Sequence, residues 1–263
     1  MVRFSANVGF LWPELPLPDR IRAAGRAGFA AVEFHFPYEF HPDEIRAAID
    51  EAGVTMLGLN TALGANGPAD FGVTARPGRE DEARTVIDQA VDYAAAIGAS
   101  AVNVVPGTTG GPADAERIYR HNLAYACERG AAHGLTMLIE PLSPRSAPGA
   151  HVTRVEDALA TIAAVGADNL KLMLDCFHTQ LNQGDLTSRL AFSLEHLGHV
   201  QIAAVPDRGE PDTGEIDYRF VLGQLDALGY TGWVGAEYHP RTTTDAGLGW
   251  LAPYREDADA NGA

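Results

Sequence analysis

Four oxygen-bearing side chains close four apolar segments in the second half of the sequence. Their separations are 35, 26 and 36 residues, each about the length of one strand–helix unit; they are Glu140, Asp175, Gln201 and Glu237. Consecutive parallel strands present their carboxyl ends at the same edge of a sheet or barrel. The spacing therefore predicts that these four side chains converge on one site.

Three carboxylates and one amide oxygen form a hard oxygen-donor set with a formal charge of −3. Packed together without a cation, the carboxylates would raise one another's pKa values. A divalent Mg²⁺ or Mn²⁺ satisfies such donors, whereas a structural zinc site would need a Cys/His cluster that the sequence lacks. A single acidic residue after a strand is often only a helix cap or a solvated loop charge. Four in successive strands favour a metal site.

The elements that must position these residues repeat about eight times as a short apolar run followed by an amphipathic segment. The predicted strands cover residues 4–8, 31–34, 56–60, 101–105, 136–140, 170–175, 199–202 and 233–237. The predicted helices cover residues 19–27, 42–52, 80–97, 115–133, 155–165, 186–197 and 218–228. Glycines expected to stop helices precede several strands, at positions 28, 53, 98, 134, 166 and 229.

Eight such units in about 250 residues favour a single-domain (β/α)₈ TIM barrel over a doubly wound sheet. The nucleotide-binding glycine motifs are absent from the sequence. We expect the barrel to occupy residues 1–254 and residues 255–263 to form a disordered tail. Residues 61–79, a long glycine- and proline-rich connection, leave the carboxyl end of the third strand and are a candidate lid.

Further candidates surround the four strand-end residues. His178 could reach a substrate hydroxyl, or could simply cap or pack at a helix start. Arg208 could grip a carboxylate bidentately, or could form a loop ion pair with Asp207 or Glu210. Three residues at the ends of the first three strands are also expected to line the mouth and contact substrate: Asn7, Glu33 and Asn60. His35, which follows the second strand beside Glu33, could line the mouth as well.

The composition excludes several classes of protein. With 35 acidic and 19 basic residues the net charge is −16, which disfavours binding to nucleic acid or to an anionic membrane. No signal peptide or membrane span is evident, and the two cysteines form no disulfide framework, so we expect a cytoplasmic protein. The expected partner is a small molecule, and assembly into a homo-oligomer is compatible with the sequence.

Several motifs, in matching order from about residue 2 to 254, resemble the hydroxypyruvate isomerase family of the xylose-isomerase-like TIM barrels. They include Phe4-Ser5-Ala6-Asn7, Val32-Glu33-Phe34-His35-Phe36-Pro37-Tyr38, Ile139-Glu140-Pro141, Arg208-Gly209-Glu210-Pro211 and Gly235-Ala236-Glu237-Tyr238. The resemblance implies metal ligands at Glu140, Asp175, Gln201 and Glu237, with Glu140 and Glu237 as the acid/base pair. It also implies substrate contacts at His178 and Arg208.

The resemblance implies a metal-dependent isomerase of carbohydrate metabolism that interconverts hydroxypyruvate and 2-hydroxy-3-oxopropanoate through an enediolate. The sequence departs from the family pattern beside the expected site, at Ser143-Pro144-Arg145-Ser146 and at Ala204. These departures keep open the same chemistry on another substrate, by a 2-oxo-tetronate isomerase or a ketose 3-epimerase. A metal-dependent abasic-site endonuclease is a more distant alternative, and a barrel that binds a sugar acid without turnover is another.

Overall fold

A computed structural model describes residues 2–254 of the chain. The predicted disordered tail, residues 255–263, lies outside the described residues. Nine parallel strands form one sheet that curls into a barrel, in the order β3-β2-β1-β9-β8-β7-β6-β5-β4. They are β1 Arg3–Asn7, β2 Ala31–Glu33, β3 Thr55–Met56, β4 Gly58–Asn60, β5 Ala101–Asn103, β6 Thr136–Ile139, β7 Leu170–Asp175, β8 Leu197–Ile202 and β9 Trp233–Ala236.

Helices follow most of the strands and cover the outside of the barrel. They are α1 Leu17–Arg26, α2 Pro42–Ala52, α3 Glu80–Ile97, α4 Ala115–Ala131, α5 Val155–Val165, α6 Cys176–Asn182, α7 Leu186–Ser193, α8 Tyr218–Ala227 and α9 Thr244–Gly247. Short 3₁₀ helices occupy Gly67–Ala69, Leu194–His196 and Leu248–Leu251. The predicted (β/α)₈ barrel is therefore confirmed. None of the helices described between residues 2 and 254 combines the length and apolar character needed to cross a membrane.

The ninth strand arises because the predicted third strand is split at Leu57. The Leu57 N–H donates to Val32 on one side, while its carbonyl accepts from the N–H groups of Ser100 and Ala101 on the other. The residue thus passes from the hydrogen-bond ladder of β2 to that of β5. An N–H···O bond from Phe34 to Gly58, 3.2 Å, helps to close the ring between β2 and β4.

The predicted helix stops agree with the backbone conformation. Gly53, Gly98 and Gly166 are left-handed C-caps of α2, α3 and α5, where a residue without a Cβ is favoured. Three of the six predicted stops, Gly28, Gly134 and Gly229, lie one or two residues beyond the C-caps of their helices.

The helix predicted over residues 186–197 is shorter than expected, and two helices, α6 and α9, were not predicted. The segment predicted as helical over residues 186–197 leaves the α-helix at Ser193, whose hydroxyl bonds the Arg189 carbonyl, and β8 already begins at Leu197. The short helix α6 starts directly after β7, because Asp175 Oδ1 accepts the Phe177 N–H at 2.7 Å and caps it.

The two faces of the strands differ in character. Ala6, Val32 and Val200 belong to a buried apolar cluster that also contains helix residues such as Ile21 and Leu222. The alternate positions carry polar side chains that contact one another within the barrel, including Asn7, Glu33, His199 and Gln201. The period-two alternation of a strand thus separates a dry outer layer from a polar lumen.

The long connection over residues 61–79 is held against the barrel mouth. Asp70 is buried and accepts hydrogen bonds from Arg79 Nη1 at 2.6 Å, from Arg76, and from the Asn66 N–H at 3.0 Å. Gly72 packs so closely on Gly107 that a Cβ on Gly107 would lie 2.2 Å from the Gly72 carbonyl oxygen. These contacts fix the adjacent Phe71 in a left-handed conformation, φ 47°, at the edge of the mouth.

Candidate active site

Eight of the nine predicted site residues line one cavity of about 590 Å³ inside the barrel. They are Asn7, Glu33, Asn60, Glu140, His178, Gln201, Arg208 and Glu237. The ninth, Asp175, is 1% exposed and contacts Arg208 and His178. Glu140 and Glu237 each follow the last residue of a strand, whereas Asp175 and Gln201 pair with each other at the ends of β7 and β8.

A compact group of potential ligand atoms lies where β6 and β7 end. One ligand atom each from Glu140, Asp175 and His178 lie within 4.8 Å of one another. Asn103 donates to Glu140 Oε2 at 3.2 Å and so orients that carboxylate. Asp175 uses one oxygen to cap α6, leaving Oδ2 directed toward Arg208 and His178. Asp175 therefore caps α6 with one carboxylate oxygen and presents the other to the site. The sequence had left these two roles as alternatives.

Arg208 reaches into the carboxylate group from the loop after β8. Its Nη2 lies 2.6 Å from Glu237 Oε1 and 3.4 Å from Asp175 Oδ2. The guanidinium carbon lies 4.9 Å from the ring centre of Phe10 and 5.0 Å from that of Phe177, so two aromatic rings hold it. The alternative loop ion pair is not formed, because Asp207 and Glu210 both pair with Arg241.

The environment drives the two glutamates of the site in opposite directions. Burial, together with the charges of Glu237 and Asp175, raises the pKa of Glu140 well above its usual range. Burial would also raise the pKa of Glu237, but the charge of Arg208 and the hydrogen bond with His35 outweigh it and hold that pKa at about 2. Burial raises the pKa of Asp175 to about 7 against the opposing charge of Arg208. One carboxyl is therefore set up to carry a proton and the other to accept one.

His178 is held as a neutral donor. Its Nδ1 accepts the Ser143 N–H at 3.3 Å, which places the ring proton on Nε2. Burial and the nearby Arg208 lower the pKa of His178 to about 3, so the ring remains uncharged at neutral pH. The Nε2–H is then available as a donor in the cavity, beside Asp175 Oδ2 at 3.6 Å.

A polar network lies on the β1, β2 and β8 side of the carboxylate group. Asn7 Nδ2 donates to Glu237 Oε2 at 3.0 Å and lies 3.5 Å from Glu33 Oε1. Glu33 Oε1 also accepts from Gln201 Nε2 at 3.2 Å, and its Oε2 lies 2.5 Å from His199 Nε2. Although burial would lower the pKa of His199, the charge of Glu33 and its hydrogen bond raise it.

Two residues of the site, Asn103 and His199, were not predicted, and His35 was expected only to line the mouth. His35 lies 3.5 Å from Glu237 Oε1, Asn103 orients Glu140, and His199 pairs with Glu33. His199 stands two residues before Gln201, so the alternation of β8 would have placed both in the lumen. Asn103 ends β5, but the strand was predicted to continue to residue 105. Asn103 was therefore not recognised as a polar residue at the carboxyl end of a strand.

The donors fit a divalent cation that prefers oxygen. Of the three buried carboxylates, Asp175 and Glu237 contact the Arg208 guanidinium directly, and this single positive charge leaves net negative charge in the cavity. Gln201 Oε1 is buried and accepts no hydrogen bond from any of the described residues. An orphaned buried amide oxygen beside carboxylates is the arrangement expected of a ligand to Mg²⁺ or Mn²⁺.

Comparisons with known proteins agree with this architecture. The model of a family described as xylose isomerase-like TIM barrel matches residues 21–254. A 2-oxo-tetronate isomerase from Cupriavidus necator is 44% identical and covers 97% of this chain and 99% of its own. The hydroxypyruvate isomerase of Escherichia coli is 38% identical, with 97% and 100% covered.

Solved structures share the fold. A protein from Brucella melitensis, described as an AP endonuclease of family 2, superposes with a TM-score of 0.93 at 39% identity and covers 97% of this chain and 99% of its own. An L-ribulose 3-epimerase superposes with a TM-score of 0.77 at 20% identity, covering 96% and 86%, and shows likeness in fold alone.

Proposed function

Because the chain belongs to the hydroxypyruvate isomerase family of xylose isomerase-like TIM barrels and is an aldose–ketose-type isomerase, we propose that it acts on a short hydroxylated 2-oxo acid with the help of a divalent cation. The first substrate is hydroxypyruvate and its product is 2-hydroxy-3-oxopropanoate. The observation that carries the proposal is the pair Glu140 and Glu237, which share one cavity and have pKa values driven apart.

The cation would be held by Glu140, Asp175, Gln201 and Glu237, and Mg²⁺ or Mn²⁺ suits these donors. When bound, it supplies positive charge that stabilises the negative charge developing on the substrate oxygens.

Glu237 is the general base for proton abstraction in this proposal. It is ionised at neutral pH because Arg208 and His35 favour its charged form, and Asn7 holds its second oxygen at 3.0 Å. It removes a proton from C3 of hydroxypyruvate, and the electron pair left behind forms the double bond of an enediolate. A positioned base of this kind typically contributes about 10²–10⁴-fold to the rate.

Glu140 completes the reaction by delivering a proton to C2. Its raised pKa in the metal-free site favours the protonated form, so in this step Glu140 is only loosely held by the cation, and Asn103 fixes the orientation of its carboxyl group. The hydroxyl proton on O3 moves to O2, so that the aldehyde forms at C3 and the alcohol at C2. The neutral Nε2–H of His178 is a donor suited to the oxygens between which this proton moves.

Arg208 would bind the substrate carboxylate or an oxygen next to it. The phenyl rings of Phe10 and Phe177 keep the guanidinium in the mouth. There it contacts the carboxylates of Asp175 and Glu237, and a substrate carboxylate would be a further partner of the same kind. A small anion can therefore enter a protein of net charge −16 through one local cationic group.

A second substrate, a four-carbon 2-oxo-tetronate, is favoured by the relative at 44% identity that carries that name. The chemistry is the same, since a proton leaves C3 and another arrives at C2. The segment after Glu140 differs from the family pattern here, and its Ser143 N–H bonds His178, so this segment acts directly on a cavity residue.

The test is a substrate panel with a metal titration. Purified protein, stripped with chelator and reloaded with Mg²⁺ or Mn²⁺, is assayed against hydroxypyruvate, 2-oxo-tetronates and free ketoses. We expect metal-dependent conversion of a 2-oxo acid and a much lower kcat/KM for ketoses. If no 2-oxo acid reacts and none exchanges its C3–H with solvent deuterium, the proposal is wrong. An abasic oligonucleotide in the same panel tests the nuclease alternative, against which the acidic mouth and the net charge argue.

A further inference from the structure

The carboxylate of Glu33 is the most enclosed acidic group of the lumen that the proposed reaction does not use. Glu33 is 5% exposed, and its two oxygens face two residues of the same strand, β8. Oε1 accepts from Gln201 Nε2 at 3.2 Å, and Oε2 lies 2.5 Å from His199 Nε2. Such an arrangement fixes side chains on its neighbours rather than presenting an oxygen to a small molecule.

We propose that Glu33 is a positioning residue that holds the Gln201 amide with its oxygen turned toward the cation site. This role rests on the metal-dependent function proposed above. A side-chain amide has one end that only donates and one that only accepts, and only the oxygen end can ligate a cation. The Glu33 carboxylate oxygen accepts a hydrogen bond from Gln201 Nε2 at 3.2 Å, so it selects the orientation in which Nε2 faces it.

The opposite orientation of the Gln201 amide is electrostatically unfavourable. Turning the amide by 180° would set Gln201 Oε1 against the Glu33 carboxylate, two acceptors at about hydrogen-bond distance with no proton between them. In the observed orientation Oε1 is buried and without a hydrogen-bond partner among residues 2–254. A cation bound to that oxygen offsets the cost of leaving it without a hydrogen bond.

Glu33 is itself fixed on two sides. His199 holds Oε2, and Asn7 Nδ2 lies 3.5 Å from Oε1 while donating to Glu237 Oε2 at 3.0 Å. The neighbouring strand leaves room for the pair through Gly235, where a Cβ would lie 2.1 Å from Glu33 Oε1 and 2.9 Å from His199 Nε2.

The experiment measures Mn²⁺ binding to chelator-stripped protein by titration calorimetry and by the EPR signal of free Mn²⁺, in wild type, Glu33→Gln, Gln201→Ala and the double variant. Loss of an outer-shell partner typically weakens metal binding about 10–100-fold, which is the loss expected for Glu33→Gln. In the Gln201→Ala background the same change should weaken binding less than about 2-fold, because no amide remains to be oriented.

The double variant separates positioning from plain electrostatics. A glutamate that acted only through its negative charge, or only through packing, would weaken Mn²⁺ binding equally in both backgrounds, and that result would overturn the proposal. Equal Mn²⁺ affinity of wild type and Glu33→Gln would overturn it as well, while leaving the metal site intact. Wild-type protein that binds no Mn²⁺ would instead refute the metal-dependent function and this role together.

Two further variants guard against a folding defect. Glu33→Asp keeps the charge but shortens the side chain by one methylene, so it cannot hold His199 and Gln201 together, and we expect it to weaken Mn²⁺ binding about as much as Glu33→Gln. Glu116→Gln is a matched control, since Glu116 also pairs with a histidine, His151 Nε2 at 2.9 Å, but on α4 outside the lumen. Its Mn²⁺ affinity should equal that of wild type, and melting curves report whether each variant is folded.

Discussion

Arg208 Nη2 lies 2.6 Å from Glu237 Oε1, so the carboxylate proposed as general base is held beside a guanidinium that shares its cavity. Both groups are nearly enclosed, and the Coulomb attraction between them is therefore much stronger than it would be on the surface. The contact gives Arg208 two functions: it keeps the base ionised, and it stays in the mouth where a substrate carboxylate would arrive.

Replacing Arg208 by Gln should move the acid limb of the pH profile of kcat/KM to higher pH. With Arg208 in place the pKa of Glu237 is held at about 2, whereas burial alone raises it. Without the guanidinium the base is protonated at mildly acidic pH, and activity is lost there first. We also expect kcat/KM at neutral pH to fall about 10²–10³-fold, as for loss of a preorganised charge-stabilising donor.

The check on Arg208 is a set of pH–rate profiles at saturating metal. Arg208→Lys retains the positive charge and should shift the acid limb less than Arg208→Gln, although it also lacks the planar fork. Identical acid limbs in wild type and both variants would show that Arg208 does not set the protonation of Glu237.

Glu237→Gln and Glu140→Gln should differ in solvent exchange. If Glu237 removes the C3 proton of hydroxypyruvate, Glu237→Gln abolishes both turnover and exchange of that hydrogen with deuterium. Glu140→Gln should abolish turnover but retain exchange, because abstraction still occurs while delivery at C2 does not. NMR of substrate incubated in D₂O measures both quantities, and exchange that persists in Glu237→Gln would remove that residue from the base role.

The positions of polar residues at the carboxyl ends of the predicted strands were enough to predict that the site residues converge, because this convergence depends only on topology. Glu140 and Glu237 directly follow strands, and Asp175 and Gln201 pair across β7 and β8, so any closed parallel barrel brings them together. The ligand set and the roles given to these residues remain predictions. The sequence carried no signal for the split of the third strand at Leu57. The split arises because Leu57 leaves the hydrogen-bond ladder of β2 and joins that of β5 where the barrel closes.

Side-chain pairing within the lumen was beyond the reach of sequence spacing. Glu33 was expected to contact substrate, but its oxygens face His199 and Gln201 across the barrel, a contact between residues 166 and 168 positions apart. Arg208 was proposed from its residue type, its place in a loop after a strand and the family resemblance. Its approach to Glu237 depends on a left-handed backbone, φ 57°, in a loop whose other charges are taken up by Arg241.

Asp70→Asn should loosen the connection over residues 61–79 and destabilise the protein at neutral pH. Hydrogen bonds with Arg79, opposed by burial, hold the pKa of Asp70 well below its usual range. A lowered folded-state pKa adds stability above the unfolded-state value near 4, and this stability is lost as pH falls through the folded-state value. Since both arginines are partly exposed, we expect a loss of about 1 kcal/mol at pH 7, or about 2–4 °C in Tm.

The same variant should raise KM, because Phe71 next to Asp70 lines the cavity. Melting curves from pH 7 to pH 3 provide the check on stability, and the difference between wild type and Asp70→Asn should shrink below about pH 4. Asp50→Asn is the control, since Asp50 pairs with Arg46 on an exposed helix face and contributes little. A difference in Tm that stays constant down to pH 3 would contradict the linkage.

Metal binding should tighten as pH rises, because the proposed ligands must lose protons to bind. Burial raises the pKa of Asp175 to about 7 and that of Glu140 well above its usual range in the metal-free protein. Such groups are protonated in the folded state at pH 5, and their ionisation destabilises the metal-free fold as pH rises through the folded-state pKa.

A bound cation offsets the repulsion between the ionised carboxylates, so the rise in Tm on adding Mn²⁺ should be larger at pH 8 than at pH 5.5. The apparent Kd falls about tenfold per pH unit between pH 5 and 7 for each proton that the cation displaces. Calorimetry in buffers of different ionisation enthalpy counts the released protons directly, and a Kd that does not change over this range would show that the carboxyl groups are already ionised without metal.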